Sequence, residues 1–223
     1  MTEVTLAYLE AGDTSAPAMV LLHGLGDDSS DWGDVLADFA ADFHVYALDL
    51  RGHGRSSRPG RYSFELMRAD VAEFLAMMGV ERCILVGHSM GGAVAILLAQ
   101  TAPELLTHLI LEDVTAPAPG TVNRPPLDPP NTPTPFDFAA VNAIRAQLTD
   151  PDPSWWDNMK TVTVPTLIIG GGESSTFPQQ LLTETVRRMP HADLITIDAG
   201  HHVHQARPAE FVSAVEAFLR LEK

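Results

Sequence analysis

Ser89 lies in the pentapeptide Gly87-His88-Ser89-Met90-Gly91, with a glycine two residues before it and another two after. That G-x-S-x-G spacing suits a sharp strand-to-helix corner, which lifts a serine hydroxyl above a sheet edge and aims it at the positive end of the helix. The motif is short, so its flanks decide its weight. Cys83-Ile84-Leu85-Val86 before it reads as a buried strand, and the apolar segment Ala93 to Ala99 after it reads as a buried helix. A serine hydroxyl becomes a nucleophile only beside a base. A histidine stands in Gly200-His201, at the end of another strand-like run, with His202 and His204 close behind. Negative charge developing on a carbonyl oxygen needs preorganised donors. The backbone N–H of Met90 and that of Leu25, in the glycine-flanked His23-Gly24-Leu25-Gly26, are the candidates.

These residues need a scaffold, and the chain reads as one. Apolar runs at Ala18 to Leu22, Phe43 to Leu48, Cys83 to Val86, Leu106 to Leu111, Thr166 to Ile169 and Asp193 to Ile197 read as core strands, with a first strand at Val4 to Leu9. Between them lie segments with helical spacing, including Ser63 to Met78, Pro178 to Arg188 and Pro208 to Leu221. Strands alternating with helices predict a mostly parallel sheet covered by helices on both faces. The loop at His23, the elbow at Ser89 and the histidine at Gly200-His201 each follow a core strand, which brings all three to one edge of that sheet.

The 223 residues suit a single domain spanning 1–223, with one excursion. That excursion, roughly 114–164, carries eight prolines between Pro117 and Pro135. Proline removes a donor and fixes φ, so the stretch is a short cap, not sheet interior. Its large apolar groups, Phe136, Phe138, Trp155 and Trp156, are candidates to line a substrate pocket or to pack the cap onto the body. A net charge of −15 argues against nucleic acid and anionic membrane as partners. No apolar stretch approaches the roughly 20 residues that cross a bilayer, and no secretory signal is evident. With the single cysteine Cys83 in a core strand, as buried filler, the reading is a cytoplasmic protein acting on a small molecule. Asp49 and His53 sit among glycines and arginines in a turn-rich loop, where a structural role outweighs a catalytic one. His201, His202 and His204 offer imidazoles, but no carboxylate or cysteine pattern completes a metal set, so neither metal nor cofactor is expected.

With His23-Gly24-Leu25-Gly26, Asp49-Leu50-Arg51-Gly52-His53-Gly54-Arg55-Ser56, Gly87 to Gly92 and Gly200-His201 in this order, the chain resembles the α/β-hydrolase-fold family over essentially its whole length. The resemblance implies an α/β fold with a central sheet of about eight strands, Ser89 as nucleophile, His201 as general base, and the Leu25 and Met90 N–H groups as oxyanion hole. It also favours His201 over His202 and His204, because the family's histidine directly follows the glycine. The acid departs from the common pattern, which puts an aspartate four residues ahead of a proline after the strand Thr166 to Ile169. Here that position is Ser174, with Glu173 one residue off register. A second location known in the family, after the strand before the cap, matches Asp113 with Pro117. Asp113 is preferred, with Glu173 as the alternative. The implied activity is cofactor-free hydrolysis of a small ester, thioester or lactone through an acyl-enzyme. Perhydrolysis, C–C bond hydrolysis and a non-catalytic ligand-binding role are the competing readings.

Overall fold

The computed structural model describes residues 4–120 and 123–221. Its sheet has seven strands: β1 (Tyr8–Ala11), β2 (Ala18–Leu22), β3 (His44–Leu48), β4 (Cys83–His88), β5 (Leu106–Glu112), β6 (Thr166–Gly170) and β7 (Ala192–Thr196). They lie in the order β1-β3-β2-β4-β5-β6-β7, with β1 antiparallel to β3 and every other pairing parallel. The count is one below the expected eight, and the first strand begins later than Val4. The backbone of residues 5–7 is instead hydrogen-bonded to the loop at 49–57: Thr5 N–H and Ala7 N–H donate to the Ser57 and Ser56 hydroxyls at 3.0 and 2.8 Å.

The continuous apolar runs are explained by burial on both faces. Side chains alternate between two cores along each strand. Val20 and Leu22 of β2, Cys83 and Leu85 of β4, and Leu109 and Leu111 of β5 join one cluster. Met19 and Leu21, Ile84 and Val86, and Ile110 join the other. The first is covered by α2 (Phe64–Met77), α3 (Met90–Thr101) and α6 (Gln179–Arg188), the second by α1 (Gly33–Phe39) and α8 (Pro208–Leu221). Burial pushes the Cys83 thiol up to about 12, so it is inert filler.

After β5 the chain leaves the sheet until β6. Of this excursion, the proline-rich part holds no helix or strand among the described residues, and α4 (Phe138–Thr149) and α5 (Pro153–Asp157) follow it. Both helices are capped by aspartates: Asp137 accepts from Ala139 N–H at 3.0 Å and Asp152 from Ser154 N–H at 2.8 Å. Gln100 of α3 ties the excursion down by donating to the Trp155 carbonyl at 2.7 Å. A short α7 (Val203–Ala206) precedes α8. Among the described residues no helix is long and apolar enough to cross a membrane.

Candidate active site

Ser89 links β4 to α3 with φ 50° and ψ −114°. A non-glycine residue with positive φ is strained, and such strain persists only where surrounding packing imposes it. Here the glycines allow that packing. A Cβ on Gly91 would stand 2.3 Å from the Leu22 carbonyl oxygen, and one on Gly87 would stand 2.6 Å from the Gly92 Cα. Strand and helix are therefore closer than any side chain permits. The Ser89 side chain makes no capping hydrogen bond, so its hydroxyl is not spent on the helix. Met90 is the first residue of α3, where the helix leaves its N–H groups without internal partners. The loop after β2 is fastened to this corner through the Gly91 N–H, which donates to the His23 carbonyl at 3.1 Å. His23 itself is fully buried, its Nε2 accepting from the Leu50 N–H at 3.0 Å.

Asp113, just past β5, also takes a positive φ of 48° and is fully buried. Its Oδ2 lies 2.7 Å from His201 Nδ1 and accepts from the Ser175 hydroxyl. Its Oδ1 accepts from the Gly171 N–H at 2.9 Å and from Gln179 Nε2 at 2.8 Å. Burial opposes ionisation, but the hydrogen bonds from His201, Ser175, Gln179 and Gly171 outweigh it and hold this carboxyl below the usual aspartate range. Glu173, the alternative acid, is exposed, and no hydrogen bond joins it to His201. The loop after β6 thus furnishes hydrogen-bond donors to Asp113. Neither Ser175 nor Gln179 was singled out from the sequence. The available signal was the missing aspartate in that loop, which leaves an acid on β5 in need of partners.

The other histidines have separate settings. His202 is partly exposed and 4.0 Å from Asp27. His204 is fully buried against Glu112, its Nδ1 2.7 Å from Oε2 and its N–H donating to Oε1 at 2.9 Å. Glu112 follows the strand's alternation to the face opposite Asp113. Burial alone would lower His204, but Asp31 and Glu112 overcome it and raise it to about 10, giving a buried imidazolium stacked on Trp32. Asp49 and His53 are structural: Asp49 accepts from the Ser29 and Arg55 N–H groups at 2.7 and 2.8 Å, and His53 Nδ1 faces the Arg51 carbonyl at 3.1 Å.

Ser89, Asp113, His201, Leu25 and Met90 all line one cavity of about 310 Å³. Its apolar wall comes from Phe64, Ala93, Ile144, Leu148, Phe177 and Leu181, with Arg124 and Arg145 also lining it. None of the four aromatic residues that were candidates to line a pocket or pack the cap belongs to this wall. Trp155 is buried edge-on against Phe64 at 5.6 Å between ring centroids, and Trp156 packs under the Arg188 guanidinium at 4.6 Å. Phe136 bridges to His53, and Phe138 opens α4. The two tryptophan rings fasten the excursion to the body, because their area is worth most against the core.

A family profile described as alpha/beta hydrolase fold matches residues 17–128, and the chain belongs to that family. Mouse Epoxide hydrolase 4 is 37% identical over 107 residues, a match covering 47% of this chain and 30% of that protein. Mouse sn-1-specific diacylglycerol lipase ABHD11 is 27% identical over 253 residues, covering 93% of this chain and 82% of that one. The crystal structure of a hydrolase from Pseudomonas aeruginosa PA01 superposes with a TM-score of 0.83 at 25% identity, covering 97% of this chain and 94% of that chain.

Proposed function

We propose that this protein is a serine hydrolase that cleaves a small carboxylic ester, thioester or lactone through an acyl-enzyme on Ser89. The observation that carries the reading is the 2.7 Å contact of His201 Nδ1 with Asp113, in a cavity that Ser89 also lines. A carboxylate only accepts, so Nδ1 carries the proton and Nε2 is left as the basic nitrogen. In this reading His201 Nε2 takes the Ser89 proton as Oγ attacks the acyl carbon. The N–H groups of Leu25 and Met90 stabilise the tetrahedral oxyanion, and His201 returns the proton to the leaving oxygen or sulfur. Water then repeats the cycle on the acyl-enzyme.

The nucleophile's chemistry supports acyl substrates over alkyl ones. A serine ester is hydrolysed by the same base, whereas attack on an epoxide or halide carbon would leave a serine ether. The activity named for Epoxide hydrolase 4 is therefore not carried to this chain, while the lipase named for ABHD11 is consistent with acyl transfer. The test is labelling with a fluorophosphonate and turnover of short p-nitrophenyl esters. A covalent adduct on Ser89, lost in Ser89→Ala, is expected; an unlabelled wild-type serine defeats the reading.

A further inference from the structure

His88 directly precedes Ser89, is 1% exposed, and has Nε2 2.9 Å from the His201 carbonyl oxygen. The carbonyl only accepts, so Nε2 carries the proton and the neutral ring leaves a lone pair on Nδ1. Among the described residues no group hydrogen-bonds to that Nδ1. It is aimed at carboxylates instead. Asp31 Oδ2, itself 3.4 Å from the Nε2 of the His204 imidazolium, lies 3.9 Å away, while Asp27 Oδ2 shares with His88 Nδ1 the space over Gly24, where an added Cβ would meet them at 2.8 and 2.9 Å. His202 closes the third side, with Nε2 4.0 Å from Asp27 Oδ2. Ligand atoms of Asp27, His88 and His202 all lie within 4.8 Å of one another. A buried lone pair facing carboxylate oxygens is repelled unless a cation or a donor stands between them.

We propose that Asp27, His88 and His202 form a divalent metal site for a borderline ion such as Zn²⁺, beside the loop that carries His201. Two imidazole nitrogens and a carboxylate oxygen suit zinc, whereas calcium and magnesium take oxygen shells. Tetrahedral zinc sets its ligand atoms about 3.3 Å apart, so the site contracts by up to about 1.5 Å on binding. The side chains that must move are the accessible ones, since His202 and Asp27 are 44% and 36% exposed and His88 is the buried floor. The carboxylate absent from the histidine cluster in sequence is supplied by the loop after β2. Bound there, the ion ties that loop to the elbow strand and to the His201 loop. It also makes the His88 Nε2–H a stronger donor to the His201 carbonyl. Its role is to hold the base's backbone, and it takes no part in acyl transfer.

The test uses the tag-free chain, stripped with a chelator and titrated with Co²⁺ and then Zn²⁺. The site gives Co²⁺ the visible absorption of a four-coordinate nitrogen–oxygen shell, which equimolar Zn²⁺ erases, and Zn²⁺ raises the thermal midpoint. Asp27→Asn and His202→Ala alter partly exposed side chains, and each variant's circular dichroism is compared with wild type. Even outer-shell losses at metal sites cost about tenfold in affinity, so each variant weakens Zn²⁺ binding by at least about that much. Absence of a Co²⁺ spectrum, or binding unchanged in both variants, overturns the proposal and leaves a bridging water as the occupant.

Discussion

His201 Nδ1 and Asp113 Oδ2 stand 2.7 Å apart, although 88 residues separate them in the chain. Asp113 reaches this position because the chain turns through a positive φ at the end of β5, and three further donors orient its carboxylate. An amide at 113 would present an N–H to the histidine or hold the wrong tautomer. Asp113→Asn is therefore expected to lower kcat by about 10⁴ on an ester substrate, as loss of the equivalent acid does in serine proteases. KM should change little. Glu173→Ala should leave kcat at the wild-type value, and equal losses in the two variants would refute the assignment of the acid.

The cavity wall predicts acyl-chain selectivity. Leu148 lines it from α4 and is only partly buried, so a larger ring there is accommodated without repacking the core. Leu148→Trp fills part of the roughly 310 Å³ and should depress kcat/KM for longer p-nitrophenyl esters while sparing the acetate. Trp156→Ala, outside the cavity, should instead lower thermal stability and leave chain-length preference as it was. Loss of discrimination in Trp156→Ala would restore that ring to the pocket.

At the elbow, intrinsic helix propensity and packing pull in opposite directions. Gly→Ala inside a helix is favourable by about 1 kcal/mol on propensity alone. At Gly91, however, the added Cβ would be 2.3 Å from the Leu22 carbonyl oxygen, which is backbone and cannot rotate away. The steric penalty wins, with a net destabilisation of about 1–3 kcal/mol for Gly91→Ala, read as a lower denaturation midpoint. An unchanged midpoint would mean that β2 and α3 are less tightly joined than described.

How much of this was legible follows from the range of each signal. Apolar runs such as Cys83 to Val86 and the glycines around Ser89 act within a few residues, so the sheet, its two-sided burial and the elbow could be read directly. Which carboxylate meets His201 could not be read that way. Asp113 and Glu173 lie in neighbouring loops at the same sheet edge, and what distinguishes them is the side chains of Ser175 and Gln179, which turn toward Asp113. The aromatic residues of the excursion stay open between pocket and packing for a related reason. Proline-rich chain between Pro117 and Pro135 has no periodicity to show which face is inward, and Trp155 resolves that only by its contact with Phe64. The carboxylates near the histidine cluster were invisible too, because Asp27 and Asp31 belong to the opposite end of the chain.

The buried loop histidine predicts an acid-sensitive stability. Burial, reinforced by His23, pushes His53 down from 6.5 to about 4, and its Nε2 has no hydrogen-bond partner among the described residues. Between those two values the unfolded chain binds a proton at this residue and the folded chain does not. Protons therefore drive unfolding: the stability is complete above pH 6.5 and is lost as pH falls toward about 4. A shift of this size corresponds to about 3 kcal/mol across that window. Gln at 53 cannot titrate. His53→Gln should be less stable than wild type near pH 8, having lost the contact with the Arg51 carbonyl, yet its denaturation midpoint should fall less steeply on acidification. Parallel pH profiles for the two proteins would mean that His53 protonates equally in the folded and unfolded chain.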